Sequence, residues 1–282
     1  MIKALMSYYD RVGISALGFN CKHLKECMSV CQNKKKFTTA REPYIGEYYS
    51  KRGLPKLLFL SLDSGDENKD PKTKTIQAMR EGNLHLSLQE FRKKKQRHWY
   101  KTHQFAWIIF DEVNRLTKST IDIGKTNSKL FFEPESEIYK IMPYFAHTNS
   151  AKCCMNIDHA KQANRMLFDN CREYIAGEIK ILDPHILVTQ GNYAKIAIEN
   201  AIKKKLLVLK EKRNVPITNQ KKPDLSIIEV NNKRPALWIH HYHPSNYGVF
   251  NTKVYPNYRN YAKAAARFIA DNYPEFLHSR QQ

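Results

Sequence analysis

Four short apolar runs decide what this chain can fold into. They read KLLFLSL (56–62), IMPYFAHT (141–148), HILVTQG (185–191) and ALWIHHYHPS (236–245). Each has the length of one strand. Near-continuous apolarity is what a strand needs when helices cover both faces of a parallel sheet. Between them, apolar residues recur at helical spacing over 1–20, 83–117, 160–182, 192–205 and 257–272. Pro184 lies just past the end of the third of these helices. Strands alternating with helices predict an α/β fold, a three-layer α/β/α sandwich around a central four-stranded, mainly parallel sheet.

The rest of the chain is organised around that frame. Residues 66–75, DENKDPKTKT, are charged and contain Pro71, which predicts a surface loop. Residues 208–235 are basic and irregular, with one short strand at SIIEV. There is no internal repeat. The expectation is a single domain over 1–282, with an N-terminal helix and a cysteine-bearing segment in 1–50. Residues 66–140 form an enlarged insertion with a basic, aromatic helix.

Lys and Arg number 47 against 27 Asp and Glu, a formal charge of +20. With 42% hydrophobic residues the chain is not a disordered basic tail. A globular domain so basic points to a polyanionic partner, nucleic acid before others. No apolar run approaches the ~20 residues of a membrane helix. The opening MIKALMSYYDRVG has no signal-peptide core. A soluble, cytoplasmic, monomeric protein without a membrane partner is expected, and its six cysteines should then stay reduced.

Those cysteines fall into groups. Cys27 and Cys31 are four apart, Cys153 and Cys154 are adjacent, Cys171 follows, and Cys21 is a spare or a substitute. Two groups joined by the fold could form a four-thiolate site for zinc or an iron–sulfur cluster, and spacing does not separate the two. The plain alternative is that small buried cysteines fill core.

In parallel sheets ligands bind beyond the carboxyl ends of the strands. Here those ends carry Asp63-Ser64-Gly65, His147-Thr148-Asn149, Gln190-Gly191-Asn192 and His243-Pro244-Ser245. Asp63 can act as a base or cap a turn. Asn149 can read a base edge with its amide or cap its own turn. Lys93, Lys94, Lys95 and Arg97 can bind phosphates or form a solvated face.

Taken in order, these features resemble the uracil-DNA glycosylase superfamily, most closely its iron–sulfur-containing family 4. The resemblance covers roughly residues 21–270. It rests on the Cys27/Cys31 pair, the strand-end stretch Ser61-Leu62-Asp63-Ser64-Gly65, the segment HTNSAKC (147–153) followed by Cys171, and His243-Pro244-Ser245. Ser61 and Ser64 depart from the glycine and proline of the family's first motif. The cysteine pair has three intervening residues rather than two, and the segment after the first motif is longer.

The resemblance implies a DNA glycosylase with a uracil-DNA glycosylase-like fold. Asp63 would orient water and stabilise the cationic sugar, and His243 would donate to the departing base. Asn149 would read the base, Trp99 or Tyr100 would stack on it, and Ser64 and Gly65 would line its pocket. Ser245, Asn246 and Tyr247, with Lys93, Lys94 and Arg97, would contact DNA. Cys27, Cys31, Cys153 and Cys171 would hold a 4Fe-4S cluster, with zinc as the alternative. Gly65 has no side chain to block bulk at pyrimidine C5. The substrate is therefore read as uracil or a bulky, hypermodified cytosine, the latter implying anti-phage defence. Two other classes compete: a non-catalytic nucleic-acid-binding protein with a structural metal cluster, and a zinc-dependent nuclease using His241 and His243.

Overall fold

A computed structural model of the protein describes residues 1–51, 53–63, 65, 68–84, 97–118, 121–123, 138–155, 164–213, 225–231 and 234–276. The chain opens with helices α1 (Ile2–Val12) and α2 (Leu24–Ser29), then strands β1 (Tyr44–Ile45) and β2 (Leu57–Ser61). Helices α3 (Ile76–Leu84) and α4 (Arg97–Thr117) precede β3 (Phe145–Asn149). Then come α5 (Arg165–Leu182), β4 (Ile186–Gln190) and α6 (Asn192–Lys203). Strands β5 (Val208–Arg213), β6 (Leu225–Glu229) and β7 (Pro235–His241) lead to the closing helix α7 (Tyr258–Asn272).

The fold is α/β with one mixed, seven-stranded sheet in the order β1-β3-β2-β4-β7-β6-β5. Strands β3, β2, β4 and β7 are mutually parallel. These are the four strands expected from sequence, except that in the second run residues 141–144 end a 3-10 helix and the strand is Phe145–Asn149. The sheet is wider than the expected four strands because antiparallel neighbours extend both edges: β1 beside β3, and β6 then β5 beyond β7. β1 is only two residues long and leaves no periodic pattern. β5 reads VLKEKR, so its charges mask it; such charge is typical of an exposed edge strand.

Alternation along the strands sends side chains to two separate cores. Leu57, Phe59, Phe145, Ile186, Val188, Leu237 and Ile239 pack with α4 and α7. Leu58, Leu60, Ala146, Leu187, Ala236 and Trp238 pack with α1, α5 and α6. Helices therefore cover both faces, as the unbroken apolarity of the central strands requires.

Element ends moved in several places. The first helix stops at Val12 rather than running to 20, because Gly13 adopts a left-handed conformation and closes it. Of the helix expected over 83–117, α4 covers Arg97–Thr117, and α3 is a separate helix that begins at Ile76; residues 85–96, with Lys93, Lys94 and Lys95, lie outside the described residues. So does Ser64, and nothing is described of the side chains of Arg97 and Tyr247. Among the described residues no helix is long and apolar enough to cross a membrane.

Candidate active site

The four parallel strands end side by side. Ser61 is in register with Asn149, and Gln190 with His241. Because strand side chains alternate, Ser61, His147, Gln190 and His241 share the face of Phe59, Phe145, Val188 and Ile239, the face covered by α4 and α7. The first turns of α4 lay His98, Trp99 and Thr102 over these ends.

Ser61 is the hub. Its Oγ lies 2.7 Å from Gln190 Oε1, 2.8 Å from His147 Nε2 and 3.2 Å from His98 Nε2. A hydroxyl has one proton and two lone pairs. With its proton on Gln190, both imidazoles must donate to it, which fixes each as the Nε2–H tautomer. His98 Nε2 also reaches Gln190 Oε1 at 3.2 Å, and Thr102 Oγ1 lies 3.2 Å from the same oxygen. Ser61 therefore ties three strand ends to α4.

His243 sits past the end of β7, with its ring stacked on that of His98 at 4.5 Å between centroids and 7° between planes. Its Nδ1 accepts the Ser245 backbone N–H at 3.2 Å. The proton of a neutral ring is then on Nε2. Burial, reinforced by His98 and His241, holds His243 well below the usual histidine range, so it is neutral at pH 7. Gly191 makes room for this arrangement. Its φ is 95°, and a Cβ there would lie 3.0 Å from Leu62 Cδ2 and 3.1 Å from the Cβ of His243. The tips of β2, β4 and β7 thus close on one point.

Asp63 follows β2 and is half-buried. Burial raises its carboxyl above the ordinary range, opposed by a 3.4 Å hydrogen bond from the Cys154 thiol and by its own backbone amide. The turn after β3 is laced to the same strand end. Ser150 N–H donates to Ser61 O at 2.9 Å, and Ala151 N–H donates to Leu62 O at 3.1 Å. This brings the Asp63 and Asn149 backbones together, while His243 stands beside Leu62 across Gly191. The carboxylate's side-chain contact is Cys154, not His243 or Asn149.

The aromatic candidates differ. Tyr100 is buried in the core at 4% exposure and offers little surface to a base. Trp99 is half-buried and meets the rings of His147 at 4.9 Å and His103 at 4.7 Å edge-on. Its Nε1 has no hydrogen-bond partner among the described residues. Gly65 is exposed, with no atom of the described residues beyond its chain neighbours within 4 Å of the position a Cβ would take. Ser245 and Asn246 are exposed beside His243.

Alternation does not carry His241 and His243 to one metal, because β7 ends at His241. His241 instead lies among Phe105, Phe250 and Tyr258, with its Nδ1 2.8 Å from Tyr242 O. His240 supports the sheet: its Nδ1 lies 3.0 Å from Thr189 Oγ1, which also accepts from Trp238 Nε1 at 2.9 Å. Sequence reasoning passed over His98 and Thr102, and placed His147 and Gln190 at strand ends without giving either a role. The last two were within reach, since parity with Phe145 and Val188 puts His147 and Gln190 on the face of Ser61.

Behind the sheet, Lys152 and Thr148 of the HTNSAKC segment serve the fold. Lys152 is ion-paired with Glu178, the two side chains being 2% and 0% exposed. Lys152 Nζ and Thr148 Oγ1 are 2.8 Å apart, Thr148 Oγ1 donates to Glu178 Oε1 at 2.8 Å, and Tyr9 also donates to that carboxylate. The network holds the turn carrying Asn149 to α5 and α1.

Cys27, Cys31, Cys153 and Cys171 are buried in the core on this same side, and Cys21 packs against it. All six cysteines are free thiols. Burial pushes the Cys171 thiol up to about 12 and that of Cys153 well above its ordinary value; Cys21 and Cys27 contribute to both rises. Among the described residues no three side chains form a closed metal-ligating set. The donor chemistry nevertheless fits a thiolate-bound group, since soft sulfur donors from three segments meet in one apolar region.

No protein-family model and no curated protein matches the sequence.

Proposed function

We propose that this chain is a DNA glycosylase that hydrolyses the N-glycosidic bond of a flipped-out pyrimidine. The sheet with helices on both faces is read as a three-layer sandwich of the uracil-DNA glycosylase-like kind. The observation that carries the proposal is His243: a neutral imidazole whose Nδ1 is occupied by the Ser245 amide, leaving Nε2–H as a donor at the carboxyl ends of parallel strands.

The chemistry follows from the bond to be broken. As C1′–N1 lengthens, the sugar gains positive charge and the base gains negative charge. His243 Nε2–H donates to the pyrimidine O2, where charge collects. Such a donor contributes about 3 kcal/mol to lowering the barrier. Asp63 orients a water for attack on C1′, takes its proton and offsets the sugar's charge. The water oxygen bonds to C1′, the electron pair leaves with the base, and the proton passes on to the base. Asn149 reads the base edge, and Trp99 supplies the stacking ring. The substrate must leave the duplex to reach these groups. The +20 charge supports binding to the DNA backbone as a monomer in the cytoplasm, with Ser245, Asn246, Lys93, Lys94 and Arg97 as contacts.

The lack of a side chain at Gly65 leaves room for a bulky 5-substituted or hypermodified cytosine as well as uracil, in keeping with anti-phage defence. A 4Fe-4S cluster, or zinc, held by Cys27, Cys153, Cys171 and a fourth cysteine would brace the N-terminal segment against α5.

Oligonucleotides containing uracil, 5-hydroxymethylcytosine or glucosylated 5-hydroxymethylcytosine test the reading. Incubation followed by hot alkali is expected to cut at one of them. His243→Ala should slow excision roughly 10²–10³-fold with DNA binding retained. Intact strands on every modified pyrimidine would remove the proposal.

A further inference from the structure

We infer that the fourth sulfur of the thiolate site is Cys21, not Cys31. The inference rests on the reading of the cysteines as one metal-binding group, and it concerns only which residues of this chain form it. Three contacts converge on one turn of α5. Asn170 Nδ2 donates to Cys27 Sγ at 3.5 Å. Cys171 Sγ accepts the backbone N–H of Lys152 at 3.3 Å, which brings the neighbouring Cys153 to the same turn. Cys21 Sγ lies 3.4 Å from the hydroxyl of Tyr174, one turn beyond Cys171 on the same helix.

The chain between Cys21 and Cys27 is fastened along that turn. Lys22 and His23 both bond to Glu173, at 2.9 and 2.6 Å, and Glu26 accepts from Asn170 at 2.9 Å. Residues 21–27 thus run beside 170–174 as a strap with a cysteine at each end. Cys31 lies beyond the strap. Its thiol donates to Asn33 O at 3.4 Å, a local bond within its own turn.

The two readings place the pair differently on α2. Read as Cys27/Cys31, the pair sits at i and i+4 with α2 ending between them. Read as Cys21/Cys27, the pair spans the start of α2, with Cys27 inside the helix and the strap held at both ends before any metal arrives. Ligation would exchange the Tyr174 and Asn170 contacts for metal–sulfur bonds, each thiol losing its proton.

Two measurements on the full-length protein decide the matter. The first loads the wild type, Cys21→Ser and Cys31→Ser with ferrous iron and sulfide under reducing conditions, and with zinc chloride in a parallel arm. Metal and sulfide per chain are then determined. Cys31→Ser should bind at the wild-type stoichiometry, and Cys21→Ser should lose at least nine-tenths of it. The reverse pattern, or retention by both variants, overturns the assignment while leaving a thiolate site in place. Failure of the wild type to take up either metal overturns the site itself. The second needs no variant: alkylation of the wild type is followed by mass spectrometry with and without bound metal. Cys21, the half-buried thiol, should be labelled only in the metal-free protein. Equal labelling of Cys21 in both forms would refute its role even if Cys21→Ser failed to fold.

Discussion

At the scale of single residues the site is a trade between stability and chemistry. Burying the Asp63 carboxylate raises its pKa, so the charged form is held at a cost. The sign runs one way. With a folded value above the unfolded one, the group's contribution is most favourable when protonated and is lost as pH rises through the folded value. Asp63→Asn should therefore abolish excision and also raise the thermal midpoint at pH 7, which differential scanning calorimetry would register. A midpoint that falls would mean that the carboxylate is structural. The acid limb of excision should correspondingly lie above the ordinary carboxylate pKa of about 3.9. His243 is set by its neighbours: Ser245 fixes the tautomer, and His98 lies flat on the ring.

At the scale of elements, the sheet register gathers what the sequence scatters. The four central strands were legible because each is an unbroken apolar run. Their polar ends were legible because a buried strand has no reason to finish on Asp, Asn or His. The edges were not: β1 is two residues long, and β5 hides behind the charges of Lys210, Glu211, Lys212 and Arg213. His98 was not legible either, because its role depends on where α4 lies over β2 and β4, which no local pattern encodes. The role of Lys152 also came only with the fold. Its pairing with Glu178 buries two charges, and removing one partner of such a pair costs about 3–5 kcal/mol. Lys152→Met should lower urea stability by roughly that amount, whereas replacing Lys152 and Glu178 together by Met and Leu should restore much of it. Equal losses for the single and the paired replacement would show that the ion pair is not what holds the turn.

At the scale of the whole molecule, seven imidazoles among the described residues are held below their ordinary range: His103, His147, His185 and His241, which are buried, and His98, His240 and His243, which are half-buried. Burial is the largest cause in each. His98, His185 and His241 fall to about 4, and His103 and His240 to about 3. For a depressed histidine the unfolded chain takes up the proton first. Stability is therefore complete above pH 6.5 and declines as pH falls toward the folded values. The urea midpoint should drop steeply between pH 7 and 5.5; a flat profile would show that these rings are hydrated rather than enclosed. The same enclosure serves the proposed reaction, since neutral imidazoles leave a dry, uncharged wall around a leaving base.

The central claim is that these strand ends expel a nucleobase. The direct measurement is mass spectrometry of the small molecules released from DNA carrying uracil or glucosylated 5-hydroxymethylcytosine. The account predicts a free modified pyrimidine, with an abasic site left in an unbroken strand and with no release by Asp63→Asn. Release of nucleotides or cut strands without free base would contradict it.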